Sequence, residues 1–162
     1  MTLSSSTLAD ALESLTPTAL ESQVITRLVA AFSDYFGEAT VSGAPVTGSL
    51  SGPEFAMATA LIGVTAFNQG ATKLAAGVTA YWGAVVPAST WVVPGSVLGA
   101  LTPPPGLPGL AATLAATFAS NTSTGVTLEQ AAANVAANIH TASTGAIVAA
   151  TTGRFPTPFP VL

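Results

Sequence analysis

The chain has 162 residues, of which 49 % are hydrophobic and only 6 % are Asp, Glu, Lys or Arg, whereas ordinary soluble domains devote about a quarter to charge. Three basic residues and a formal net charge of −4 exclude a nucleic-acid role, because replacing condensed counterions takes clustered Lys and Arg, and Arg27, Lys73 and Arg154 are scattered. The absence of cysteine excludes disulfides, thiolate catalysis and Cys-ligated zinc, and leaves the redox compartment open.

Residues 1–17 read as an N-terminal arm or short helix. Thr7 and Asp10 have a cap spacing ahead of Leu8, Leu12 and Leu15, and Pro17 stops the pattern. This stretch lacks the basic and apolar regions of a secretory signal, so no export signal is expected. The main domain is expected over 18–152. Thr18 and Glu21 form a capping-box spacing, and Leu20, Val24, Leu28, Phe32 and Tyr35 predict a helix over 19–36 that stops at Gly37. Residues 38–42 read as extended, and 43–52 as a loop holding Pro45.

Ser51 and Glu54, with Pro53 in the first turn, predict a helix to about Asn68 and Gly70. Thr72 is expected to cap the next one, whose Leu74, Val78 and Tyr81 share a side and which Gly83 should end. Six prolines between 87 and 108 predict an extended, polyproline-like connector around Trp91. Leu110, Leu114 and Phe118 then mark a helix over about 108–119. Thr127 and Gln130 cap another, with Leu128, Ala132, Val135 and Ile139 as its core stripe, ending near Thr141. From Gly145 the chain reads as extended, and 153–162, with Pro156, Pro158 and Pro160 around Phe159, as an extended C-terminal arm.

Three stretches repeat one order of features, a helix, a glycine and a short β-branched run, at Gly37, Gly83 and Gly145. The helix pair 54–86 echoes the pair 109–148, so a degenerate helix-pair repeat is expected alongside plain compositional similarity. The resulting fold class is mainly α: a small bundle of four or five helices built from helical hairpins, with short extended segments and Pro-rich arms.

Little of the chain carries chemistry. His140, the only histidine, has no acidic neighbour in sequence and is expected to be structural. Glu21, Glu54 and Glu129 sit where a helix N-terminus favours negative charge, and Asp34 with Glu38 reads as a solvated helix end. No phosphate-binding glycine motif occurs. No catalytic residue, metal ligand or cofactor is assigned. Asn134 and Asn138, one turn apart, read as a solvated face or as a polar ladder between helices. Trp82, Trp91, Phe155 and Phe159 are the candidate interface residues. The two phenylalanines stand out because a nearly uncharged tail would otherwise leave them in water.

The mean hydropathy of +0.62 raises a membrane reading, but the longest apolar stretches, 56–67 and 74–86, fall short of the about 20 residues of a span. The phrase Ala136-Ala137-Asn138-Ile139-His140-Thr141, then Thr144-Gly145-Ala146-Ile147-Val148 and a Pro-rich tail, in a chain of Ala- and Thr-rich helices, resembles small structural proteins of tailed-phage particles. That resemblance implies a virion subunit of capsid, tail or baseplate, assembled in the host cytoplasm with copies of itself and other structural proteins. The expected function is therefore a non-enzymatic structural subunit of a large symmetric assembly. A membrane-active helical protein is the alternative, and a small hydrolase using His140 a remote one.

Overall fold

The computed structural model describes residues 4–15, 20–37, 40–41, 44–45, 50–63, 69–88, 91–93, 97–145, 147–150 and 158–160. They are mainly helical, with six α-helices: α1 (Ser5–Glu13), α2 (Glu21–Gly37), α3 (Ser51–Leu61), α4 (Gly70–Ala88), α5 (Leu110–Asn121) and α6 (Leu128–Ser143). Consecutive helices pack as hairpins, α3 on α4 and α5 on α6, while α1 lies against α2 and α6 and α4 contacts α5. The N-terminal segment is thus integral to the bundle, and Leu8 is its buried anchor. Its helix starts at Ser5, ahead of the expected Thr7 cap.

Two helix ends differ from expectation. Helix α3 stops at Leu61, several residues early, because Ile62 turns extended and Gly63 takes a φ of +83°, which suits glycine alone. Helix α4 runs through Gly83 to Ala88. A glycine inside a helix costs about 1 kcal/mol, and burial of Trp82 on one side of it and Val85 on the other outweighs that cost. The run after Gly83 is consequently helical, and the helix-glycine-strand order fails at the second of its three sites. At Thr127 the expected capping box is complete: Gln130 N–H donates to Thr127 Oγ1 at 3.2 Å, and Thr127 N–H to Gln130 Oε1 at 3.1 Å.

The extended pieces pair. Strands β1 (Thr40–Val41) and β2 (Ala44–Pro45) form a small antiparallel ladder. Strands β3 (Trp91–Val93), β4 (Val97–Leu101), β5 (Ile147–Ala150) and β6 (Pro158–Pro160) make an antiparallel sheet in that order. The stretch expected as a polyproline-like connector is therefore partly a β-hairpin, with Trp91 opposite Gly99 and Val93 opposite Val97. Its valines favour a pleated ladder over a solvated coil. In the C-terminal arm, Phe159 pairs with Val148, so that part of the arm is an edge strand, where prolines are tolerated.

The core is built around Phe32, Tyr35, Phe36, Tyr81 and Trp82, all fully buried, with small residues elsewhere setting close helix approach. On α4, Gly77 faces the Leu61 and Met57 side chains of α3. Gly106, in the turn after Pro103, Pro104 and Pro105, sits on the backbone of α6. A Cβ there would lie 2.7 Å from the Ala142 Cα and 2.9 Å from its carbonyl oxygen. Neither atom can rotate away, so Gly106→Ala is expected to destabilise the fold by about 1–3 kcal/mol. Denaturant unfolding measures this, and a midpoint unchanged from wild type would show that the turn does not seat on α6.

Candidate functional site

Two places in the bundle concentrate polar groups among apolar ones. The first is a buried chain of hydrogen bonds between α2, α4 and α6. Trp82 Nε1–H donates to Ser143 Oγ at 3.2 Å, the Ser143 hydroxyl bonds the Tyr35 phenol, and the Tyr35 hydroxyl lies 3.0 Å from His140 Nδ1. An indole N–H can only donate. Ser143 therefore accepts from Trp82, and the direction of the Tyr35–His140 bond follows the imidazole tautomer. His140 is half-buried beside the Tyr35 ring, and its Nδ1 holds a core phenol, not a carboxylate.

A parallel arrangement surrounds Tyr81. Ser33 Oγ donates to Glu54 Oε1 at 2.7 Å and lies 3.3 Å from the Tyr81 hydroxyl. The expected first-turn position of Glu54 is correct, but its carboxylate also ties α3 to α2. Glu21 and Glu129 occupy the first turns of α2 and α6 as expected.

The second place is a groove of about 680 Å³ to which all six helices contribute, α3 through Leu61. Its wall is aliphatic and small, with Val24, Leu28, Leu74 and Val135 among the lining residues and Phe118 at the α5 side. Two ionised side chains line it, Glu21 and Lys73. They grip one peptide unit: Lys73 Nζ donates to the Ile62 carbonyl at 2.7 Å, and the Gly63 N–H donates to Glu21 Oε1 at 2.8 Å. In a trans peptide these two groups point in opposite directions. The ammonium and the carboxylate thus flank the turn that ends α3 and fix it to α4 and α2.

Of the four candidate interface residues, Trp82 is withdrawn. It is 0 % exposed, edge-on to Phe36 at 5.1 Å, and belongs to the core. Trp91 lies in β3 and Phe159 in β6, at the two edges of the four-stranded sheet, so the fold does not bring them together as neighbours. Phe155 lies outside the described residues. The asparagine pair forms the ladder: Asn134 donates to Asn121 Oδ1 at 3.0 Å and Asn138 to Thr117 Oγ1 at 2.6 Å, joining α6 to α5. Among the described residues, no three metal-ligating side chains converge and no helix is long and apolar enough to cross a membrane.

The groove was not legible in the sequence, because its wall comes from six helices whose relative placement no local pattern encodes. The spacing of Val24 and Leu28 marked an apolar face, but that face reads equally as core. No protein family, curated protein or solved structure matches the chain.

Burial raises both phenols. It pushes Tyr81 up to about 12, with the Ser33 bond opposing and the Glu54 charge assisting, and it raises Tyr35 further against the Ser143 bond. In the unfolded chain these groups ionise near 10.0, so above that pH the unfolded state sheds protons that the folded state keeps. Stability from this source is complete below pH 10 and is expected to fall as the pH rises from 10 through 12. Urea unfolding at stepped alkaline pH measures the slope, which Tyr81→Phe should flatten. A wild-type slope of zero above pH 10 would contradict the assignment.

Proposed function

We propose that this chain is a non-enzymatic structural subunit of a larger symmetric assembly, of the kind found in tailed-phage particles. The observation that carries the reading is the outer side of α3. Pro53, Met57 and Leu61 are buried on the inner side, yet Phe55 is 75 % exposed and Ile62, two turns on, 59 % exposed. Phe55 lies in the second turn of the helix and Ile62 at the residue where the helix ends. Between them stands Thr59, and Glu54 is the one charged residue of the helix, turned to Ser33. A helix with large apolar side chains outside its buried stripe suits a covered setting. Isolated exposed hydrophobics are ordinary, but two large ones on one nearly uncharged element suit a protein contact.

The remaining surface has the same character for a second reason. Thr26, Thr59, Thr79, Thr113, Thr117 and Thr141 each donate the hydroxyl to the backbone carbonyl four residues back. A threonine so bonded satisfies its polar atom within its own helix and needs no water to do so. Neutral hydroxyls thereby replace charged side chains on the helix surfaces, and such surfaces can be covered without stranding an ion, a burial that costs several kcal/mol. The tailed-phage part of the reading rests on the sequence resemblance; the assembly part rests on this surface.

Light scattering on the purified chain tests the reading. Wild type is expected as an oligomer at micromolar concentration, and Phe55→Asp with Ile62→Asp is expected to lower the mass towards that of one chain with unchanged far-ultraviolet dichroism. A wild type that remains a single chain up to millimolar concentration would contradict it.

A further inference from the structure

We propose that the groove between the six helices binds a long-chain carboxylate, with the hydrocarbon chain along Val24, Leu28, Leu74 and Val135 and the head on the Lys73 ammonium. The volume of about 680 Å³ lies within the range of small-molecule sites, which are mostly apolar with a few placed polar groups. Besides Glu21 and Lys73, the polar side chains of the lining are Asn121 and Thr122, both hydrogen-bonded within the protein, so the ligand is apolar over most of its length.

Charge complementarity fixes the head. An ammonium has three donors, and Lys73 spends one on the Ile62 carbonyl, its single polar partner among the described residues. The Glu21 carboxylate is occupied by the Gly63 N–H on the far edge of the same peptide, so the turn stands between the two charges. Lys73 is one of only three Lys or Arg residues in a chain of net charge −4, and it lines the groove with no carboxylate bonded to it among the described residues. Two donors of a half-buried cation at an apolar wall fit one carboxylate, and hydrogen bonds between ionised partners are the stronger kind. The exposed Leu128, also lining the groove, extends the apolar wall.

This site is separate from the outer side of α3, and the two readings fail separately, since one is read by ligand stoichiometry and the other by particle mass. Isothermal titration of the full chain with sodium dodecanoate below its micellar concentration is the test. One dodecanoate per chain is expected for wild type, with affinity at least tenfold lower in Lys73→Met and within about threefold of wild type in Lys73→Arg, which keeps the cation. Dodecanol should bind wild type about as weakly as dodecanoate binds Lys73→Met. Ala131→Phe, which narrows the groove, should abolish binding. If that variant does not fold, the Lys73 series decides alone, with thermal unfolding confirming that each variant is folded. Equal dodecanoate affinity in wild type and Lys73→Met, or no saturable binding, would overturn the proposal. So would Lys73-dependent binding to anionic phospholipid vesicles in place of dodecanoate.

Discussion

Five aromatic rings hold this bundle together. Phe32 meets Tyr81 edge-on at 4.7 Å and lies 5.5 Å from Tyr35, and Phe36 lies 5.6 Å from Tyr81 and 5.1 Å from Trp82. Helices α2 and α4 meet through these rings, whereas α3 and α4, or α5 and α6, meet through close backbone approach. In a chain where Ala, Gly and Thr fill many helical positions, large rings are the few side chains that remove much area from water, and each edge-on pair adds roughly 0.5–1.5 kcal/mol beyond that area. Truncating one ring to Ala removes about 3–5 kcal/mol, a large part of the stability of a domain this size.

The same rings organise the polar interior. Their three polar atoms need partners once buried, and those partners come from α2 and α6: Ser33, itself held by Glu54 of α3, for Tyr81, Ser143 for Trp82, and Ser143 with His140 for Tyr35. A hydroxyl left alone in such a place would cost about 1–3 kcal/mol, so these bonds fix the position of α6 and α3 relative to the rings as firmly as packing does. The single histidine is best understood in these terms. It completes a hydrogen-bond chain that begins at a donor-only indole. The outer surface follows another rule, with threonines bonded to their own helices and α3 apolar on its free side. A stable centre and an uncharged exterior are thus two consequences of one composition, and the exterior is what the proposed assembly would cover.

Local signals carried much of the helical architecture. Thr127 with Gln130 marked the start of α6, and the spacing of Phe32 and Tyr35 marked the buried side of α2, because a cap and a helical stripe are written within a few residues. Where tertiary burial opposed a local signal, burial prevailed: Gly83 did not end α4, since Trp82 and Val85 gain more by continuing the helix. Prolines misdirected the reading of 87–108, because valine pairing between β3 and β4 competes with polyproline geometry only once two strands are brought side by side. Trp82 read as a possible interface residue for a similar reason, as nothing local distinguishes a ring that meets Phe36 from one that meets a neighbour. The groove and the Lys73–Glu21 grip on the Ile62–Gly63 peptide were invisible, being assembled from residues far apart in the chain, from Leu12 to Val135 in the groove.

If the rings of α2 and α4 are the centre on which the other elements rest, the amides beneath them open only when the whole chain unfolds. Native-state hydrogen exchange on the full protein measures this directly. The amides of residues 32–36 and 78–85 are expected to be the slowest and to share one opening free energy equal to that of global unfolding, with α1 and the β1–β2 pair exchanging by smaller openings. Slower exchange in α5 and α6 than in these two stretches would place the stable centre elsewhere and contradict the account.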